Sequence, residues 1–163
     1  MQLKKLFEMQ KALDTHIQEK HGLLAEDLVN RKVLALLVEI GELANETRCF
    51  KFWSVKPSSA KEVILEEFVD GIHFILSLGI ECGFHEREME LTLTEASVSV
   101  TEQFLMIYEQ VSNFKRNRGF EEYQALWVGY LQLASLLGFS SGEIEQAYFA
   151  KNEVNYQRQE NNY

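Results

Sequence analysis

Apolar residues recur at helical spacing along most of the chain. Leu3, Leu6, Phe7, Leu13 and Ile17 form one stripe that stops at His21-Gly22, where the glycine suits a left-handed C-cap. From Ala25 to about Phe50, residues such as Leu28, Val33, Leu36, Leu37, Ile40 and Leu43 cover much of a second helix, the pattern of a helix packed between others. The segment FKFWSVKP, Phe50 to Pro57, breaks the period. Ser59 with Glu62 then reads as a capping box opening a third helix that runs to Cys82 and stops at Gly83. A fourth periodic stretch lies between about Leu91 and Lys115, a fifth runs from Glu121 to Leu137 before Gly138, and a sixth opens with the Ser140/Glu143 capping box. The expectation is an all-α bundle of about six helices, forming one domain over residues 1–163.

Composition sharpens this picture. With 163 residues, 46% of them hydrophobic, the chain can bury one real core, and a single proline and nine glycines are too little punctuation for a many-stranded β fold. A net charge of −9 argues against binding a nucleic acid polymer, which draws its affinity from Lys and Arg on phosphates. Cys49 and Cys82 form no CxxC pair, so a reduced cytoplasmic setting without a disulfide is expected. The N-terminal MQLKKLFEMQ lacks the apolar core of a signal peptide, and no run approaches the ~20 apolar residues of a membrane span.

The chemistry lies in carboxylates. Glu39 and Glu42 on the second helix, and Glu67 and Asp70 on the third, are two pairs at i, i+3 spacing, each sharing a helix face. Both sit among core residues such as Leu36, Leu43, Val69 and Ile72, where an unpaired carboxylate is costly to desolvate. One such pair alone reads as a solvated face or an ion pair. Two pairs on neighbouring helices read as an oxygen-only cage between the two central helices, suited to Mg²⁺, with Mn²⁺ able to substitute. Glu46 and Glu66 could join it, but read better as solvated groups or as carboxylates at one remove from the metal.

EIGE followed by EEFVD resembles the ExxE and ExxD signature of the all-α NTP pyrophosphohydrolase, or MazG-like, superfamily. ELANETRCFKFW, EEFVDGIHFILSLG and YFAKNEVNYQRQENNY make the chain most similar to the dimeric dUTPase branch. The resemblance implies a Mg²⁺-dependent dUTP diphosphatase that acts as a homodimer and extends to dUDP. It implies catalysis by Glu39, Glu42, Glu67 and Asp70, with Glu42 orienting or deprotonating the attacking water. It also implies phosphate binding by Lys151, Asn155 and Arg158, whose i, i+4, i+7 spacing shares one helix face. Gln10, Trp53, His73 and Phe74 match the base and sugar contacts, whereas Asp14 stands where many relatives have Asn. On the residues alone, His73 and Phe74 read equally as core.

Three other readings fit parts of the pattern. A house-cleaning pyrophosphohydrolase for dCTP or a modified nucleotide would use the same cage with another base pocket. A di-iron bundle would need a second carboxylate-x-x-His step to match Asp70–His73, and the chain offers none. A non-catalytic helical protein-binding module would not need four carboxylates among core residues; a regulatory protein partner, expected if the chain is phage-derived, could coexist with catalysis.

Overall fold

The computed structural model describes residues 1–161, which form α1 (Leu3–His21), α2 (Val29–Thr47), α3 (Lys61–Glu81), α4 (Val100–Asn117), α5 (Phe120–Leu136) and α6 (Ser141–Glu160). A single 3₁₀ turn, Phe84–Glu86, follows α3, and there is no strand among the described residues. The all-α expectation holds. No helix among these residues is long and apolar enough to cross a membrane.

The most buried helix is α3. It packs against α1, α2 and α6, and Phe68, Val69, Ile72, Ile75, Leu76 and Leu78 are all sealed from solvent. The sequence pattern predicts a second helix packed between others, with apolar residues over much of its surface; Leu34 and Val38 are 63% and 49% exposed, so α2 keeps one open apolar face. Two glycines let α5 approach α3 closely. Tyr130 and Tyr123 donate to the Phe68 and Ile75 carbonyls, each at 2.9 Å. A Cβ on Gly71 would stand 2.0 Å from the Tyr130 hydroxyl, and one on Gly79 would stand 2.2 Å from that of Tyr123.

Helix boundaries differ from the sequence pattern where polar side chains intervene. α2 begins at Val29 rather than Ala25 because Asp27 accepts the Val29 N–H at 3.0 Å, holding a turn just before the helix. It ends at Thr47, and Arg48 turns left-handed with φ 58°. The Arg48 guanidinium then pins the following loop through Ser54 Oγ (2.6 Å) and the Lys56 carbonyl (3.0 Å). Ser59 does not cap α3, because its hydroxyl donates to Glu46 and its N–H to the Glu46 carbonyl. α4 starts at Val100, not near Leu91; Leu91 and Leu93 pack against the core without being helical, and the real capping box is Ser99 with Glu102. The Ser140/Glu143 box forms as expected.

Candidate functional site

α2 and α3 run antiparallel, which follows from their polar contacts. Lys32, in the first turn of α2, meets Glu81 at the end of α3 at 2.6 Å, whereas Glu39, two turns on, meets Glu67 and Asp70. Glu39, Glu67 and Asp70 each offer one carboxylate oxygen, and these lie within 4.8 Å of one another. Glu42 stands outside this triad because α2 presents it to solvent, yet its charge reaches both Glu39 and Glu67. The sequence pattern predicts four converging carboxylates; three converge.

Their electrostatics show the strain of that convergence. Partial burial, then the negative charges of Asp70, Glu42 and Glu67, push Glu39 up to about 7. Glu67 is raised by burial and then by Asp70 and Glu42. Asp70 is raised as well, burial outweighing the help of Lys151. Lys151 is 8% exposed and places its ammonium 2.7 Å from Asp70 and 2.9 Å from Glu66. Burial opposes the Lys151 charge, but hydrogen bonds to these two partners outweigh it and raise the ammonium above the ordinary lysine range. Glu66 is exposed, is held below the usual carboxylate range by Lys151, and helps orient that ammonium instead of joining the triad.

A cleft of about 310 Å³ opens beside the triad. Glu39 and Asp70 line it, as do Asn155 and Arg158 of α6, and the Arg158 charge is near enough to lower Asp70 and Glu66. Along α3 the lining continues through His73 and Phe74 to Ser77, two helical turns or about 10 Å beyond Asp70. Gln10, Asp14 and Lys32 line it too. Two members of the acidic triad, Glu39 and Asp70, and two of the three expected α6 donors, Asn155 and Arg158, therefore share one concavity with three of the four expected base and sugar residues, while Lys151 reaches it through its contact with Asp70.

Those residues are tightly cross-linked. The Gln10 amide oxygen accepts from Tyr148 Oη at 2.8 Å and from His73 Nδ1 at 2.7 Å, so Nδ1 carries the imidazole proton. Burial and then the Lys151 charge push His73 down to about 3, so the ring is neutral, and it stacks on Tyr148 with centroids 4.3 Å apart. Its Nε2 lone pair has no hydrogen-bond partner among the described residues. The Gln10 amide nitrogen donates to Asp14 at 2.7 Å, and Asp14 also accepts from Ser77 and from Lys32, the latter at 3.2 Å. Of this network, sequence reasoning named Gln10 and His73 and noted Asp14 as a departure. It missed Lys32, Ser77, Tyr148 and Glu81, whose only available signal was a polar residue interrupting an apolar helical face.

Trp53 does not line this cleft. It is 65% exposed on the loop after α2, edge-on to Phe50 and Phe52. The last two residues of the C-terminal block YFAKNEVNYQRQENNY lie outside the described residues.

Compared with known families, residues 2–163 match the family described as dUTPase. A search of curated proteins finds no match to the chain.

Proposed function

This chain belongs to the all-α dimeric dUTPase family, hydrolases of a nucleoside triphosphate, and on that footing we propose that residues 1–163 act as one domain that hydrolyses dUTP to dUMP in the cleft between α1, α2, α3 and α6. The observation that carries this reading is the meeting of Glu39, Glu67 and Asp70 within 4.8 Å beside a cleft lined by Asn155 and Arg158.

The donor set fits a hard divalent cation. All three groups offer oxygen only, and all three are raised, by burial first and, for Glu39 and Glu67, by the neighbouring carboxylates next, as expected of a site that lacks sufficient positive charge. Glu39, Glu67 and Asp70, with Glu42 beside them, would hold Mg²⁺ or Mn²⁺. When bound, the cation supplies charge neutralisation on phosphate oxygens and a lowered pKa for water. Glu42, exposed beside the triad, would accept the proton of the attacking water. Lys151 and Arg158 would balance charge on the leaving phosphates, Lys151 exchanging part of its contact with Asp70 and Glu66 for phosphate oxygens. Gln10 and His73 hold base and sugar, and Phe74 leaves no room for a 2′-hydroxyl. The same site would accept dUDP.

We read the active form as a homodimer. Leu34 and Val38 on α2 and Phe52, Trp53 and Val55 on the following loop expose a large amount of apolar surface.

Product analysis with dUTP, dUDP, dTTP, dCTP and UTP tests the reading. Mg²⁺-dependent dUMP and pyrophosphate from dUTP, abolished by EDTA, are expected. Glu42→Gln should cut kcat by about a hundredfold or more while retaining nucleotide binding. Unchanged turnover would remove Glu42 from the mechanism, and turnover of dCTP instead would assign the cleft to another base.

A further inference from the structure

At the end of the cleft away from the acidic triad stands a cation that sequence reasoning did not single out. Lys32 lies two helical turns, about 10 Å, from Glu39 along α2. Its side chain is 12% exposed, and its ammonium donates to Asp14 at 3.2 Å and to Glu81 at 2.6 Å. An ammonium has three donors, so these two contacts leave one N–H unspent. Glu81 is itself held by Gln18 at 3.1 Å, which fixes Lys32 from behind.

The local charge decides what this cation can bind. Two carboxylates surround one ammonium, leaving a net negative cluster that repels phosphate and suits a neutral polar group. Asp14 accepts from Gln10 on one oxygen and from Ser77 and Lys32 on the other, which leaves lone-pair capacity for one more donor. A donor beside an acceptor complements a carbonyl beside an N–H. The remaining lining here is largely apolar, with Leu13, Ile17, Leu23 and Leu28 as walls for a flat ring.

We propose that Lys32 is a base-reading residue, donating to the 4-carbonyl of a pyrimidine whose N3–H faces Asp14, with Glu81 as its positioning residue. The inference rests on the nucleotide reading of the cleft and adds to it a specificity element. Uracil presents the matching carbonyl and N–H. Cytosine presents the reverse, an amino group towards the ammonium and a lone pair towards the carboxylate, and a polar site that loses its partners in this way discriminates strongly. Thymine shares the uracil edge, so Lys32 does not exclude it.

Binding of dUMP, dCMP and 4-thio-dUMP to the metal-free full chain, measured by calorimetry, tests this without requiring turnover. The wild type should bind dUMP at least about tenfold tighter than dCMP or 4-thio-dUMP, the range of a charge-assisted hydrogen bond. Lys32→Met should lose most of the preference over 4-thio-dUMP and part of that over dCMP, the rest being held by Asp14, and Lys32→Arg should keep most of both. A merely structural role would weaken all three ligands together, and that result, or an unchanged ratio in Lys32→Met, would overturn the proposal. If Lys32→Met does not fold, equal affinities of the wild type for the three ligands would overturn it alone. Hydrolysis of dUTP by the wild type, measured in parallel, separates the two ideas: an active enzyme with an unchanged Lys32→Met ratio sinks only the base reader, whereas an inactive one that still sorts dUMP from dCMP sinks only the reaction.

Discussion

Glu39→Gln should make the metal-free protein more stable while destroying its use as an enzyme. Glu39 is pushed from the ordinary 4.5 to about 7 by burial and by Asp70, Glu42 and Glu67. A carboxylate raised in the folded state is more protonated there than in the unfolded chain. Its stabilising contribution is therefore complete below about 4.5 and lost as pH rises through 7. The interval is worth about 3 kcal/mol at 1.36 kcal/mol per pH unit, and because the side chain is only half buried, solvent screening reduces this to roughly 1–2 kcal/mol. Glutamine keeps the shape and removes the charge. In EDTA at pH 8 the variant should melt about 3–6 °C above the wild type, the scale for a domain of this size. At pH 4 the two should nearly coincide. Added Mg²⁺ should raise the wild-type Tm and leave the variant's nearly unchanged, because a ligand that binds only the folded state stabilises it by mass action. Calorimetric scans across pH read all of this. A variant less stable at pH 8, or a difference that does not vary with pH, would refute the picture of three carboxylates crowded without enough positive charge.

Two other perturbations test the scaffold. Gly71→Ala should cost about 2–4 kcal/mol, from overpacking against the Tyr130 hydroxyl and loss of its bond to the Phe68 carbonyl. Adding Tyr130→Phe should restore part of that loss, and strictly additive urea-denaturation energies would argue against the clash. His73 is neutral when buried, at about 3, so the unfolded chain takes up a proton below about 6.5 that the folded chain refuses. Stability should consequently fall as pH drops, by about 2 kcal/mol at pH 5 from this group alone. His73→Phe should show a loss between pH 7.5 and 5 that is smaller by that amount; an equal loss would mean the imidazole is protonated in the fold.

What the sequence made legible, and what it hid, has a physical pattern. Helix identity depends on a period sustained over many residues, so all six helices could be read; their ends depend on single polar side chains choosing between partners. Ser59 has the residue type and spacing of a cap, but Glu46, thirteen positions away, competes for its hydroxyl and wins. The acidic triad was readable because two i, i+3 carboxylate pairs on adjacent apolar helices repel one another and lose hydration unless a cation joins them. The solvent-facing position of Glu42 depends instead on the rotation of α2, which spacing leaves free. Glycine within a helix reads as a weakness, and only the packed structure shows Gly71 and Gly79 as seats for tyrosine hydroxyls. The polar network at the end of the cleft away from the triad was the least legible because its residues come from α1, α2, α3 and α6 and meet only after folding: Asp14, Lys32, Ser77 and Tyr148 are each ordinary where they stand in the chain. Asp14 shows why the network has to be considered as a unit. Lys32 has Glu81 as its closer counter-charge, at 2.6 Å, and Asp14 as a second at 3.2 Å, so what Asp14 adds is an acceptor turned to the cleft beside the ammonium, and the acidic residue on α1 and the lysine on α2 acquire a common role only where α3 brings Glu81 and Ser77 to them.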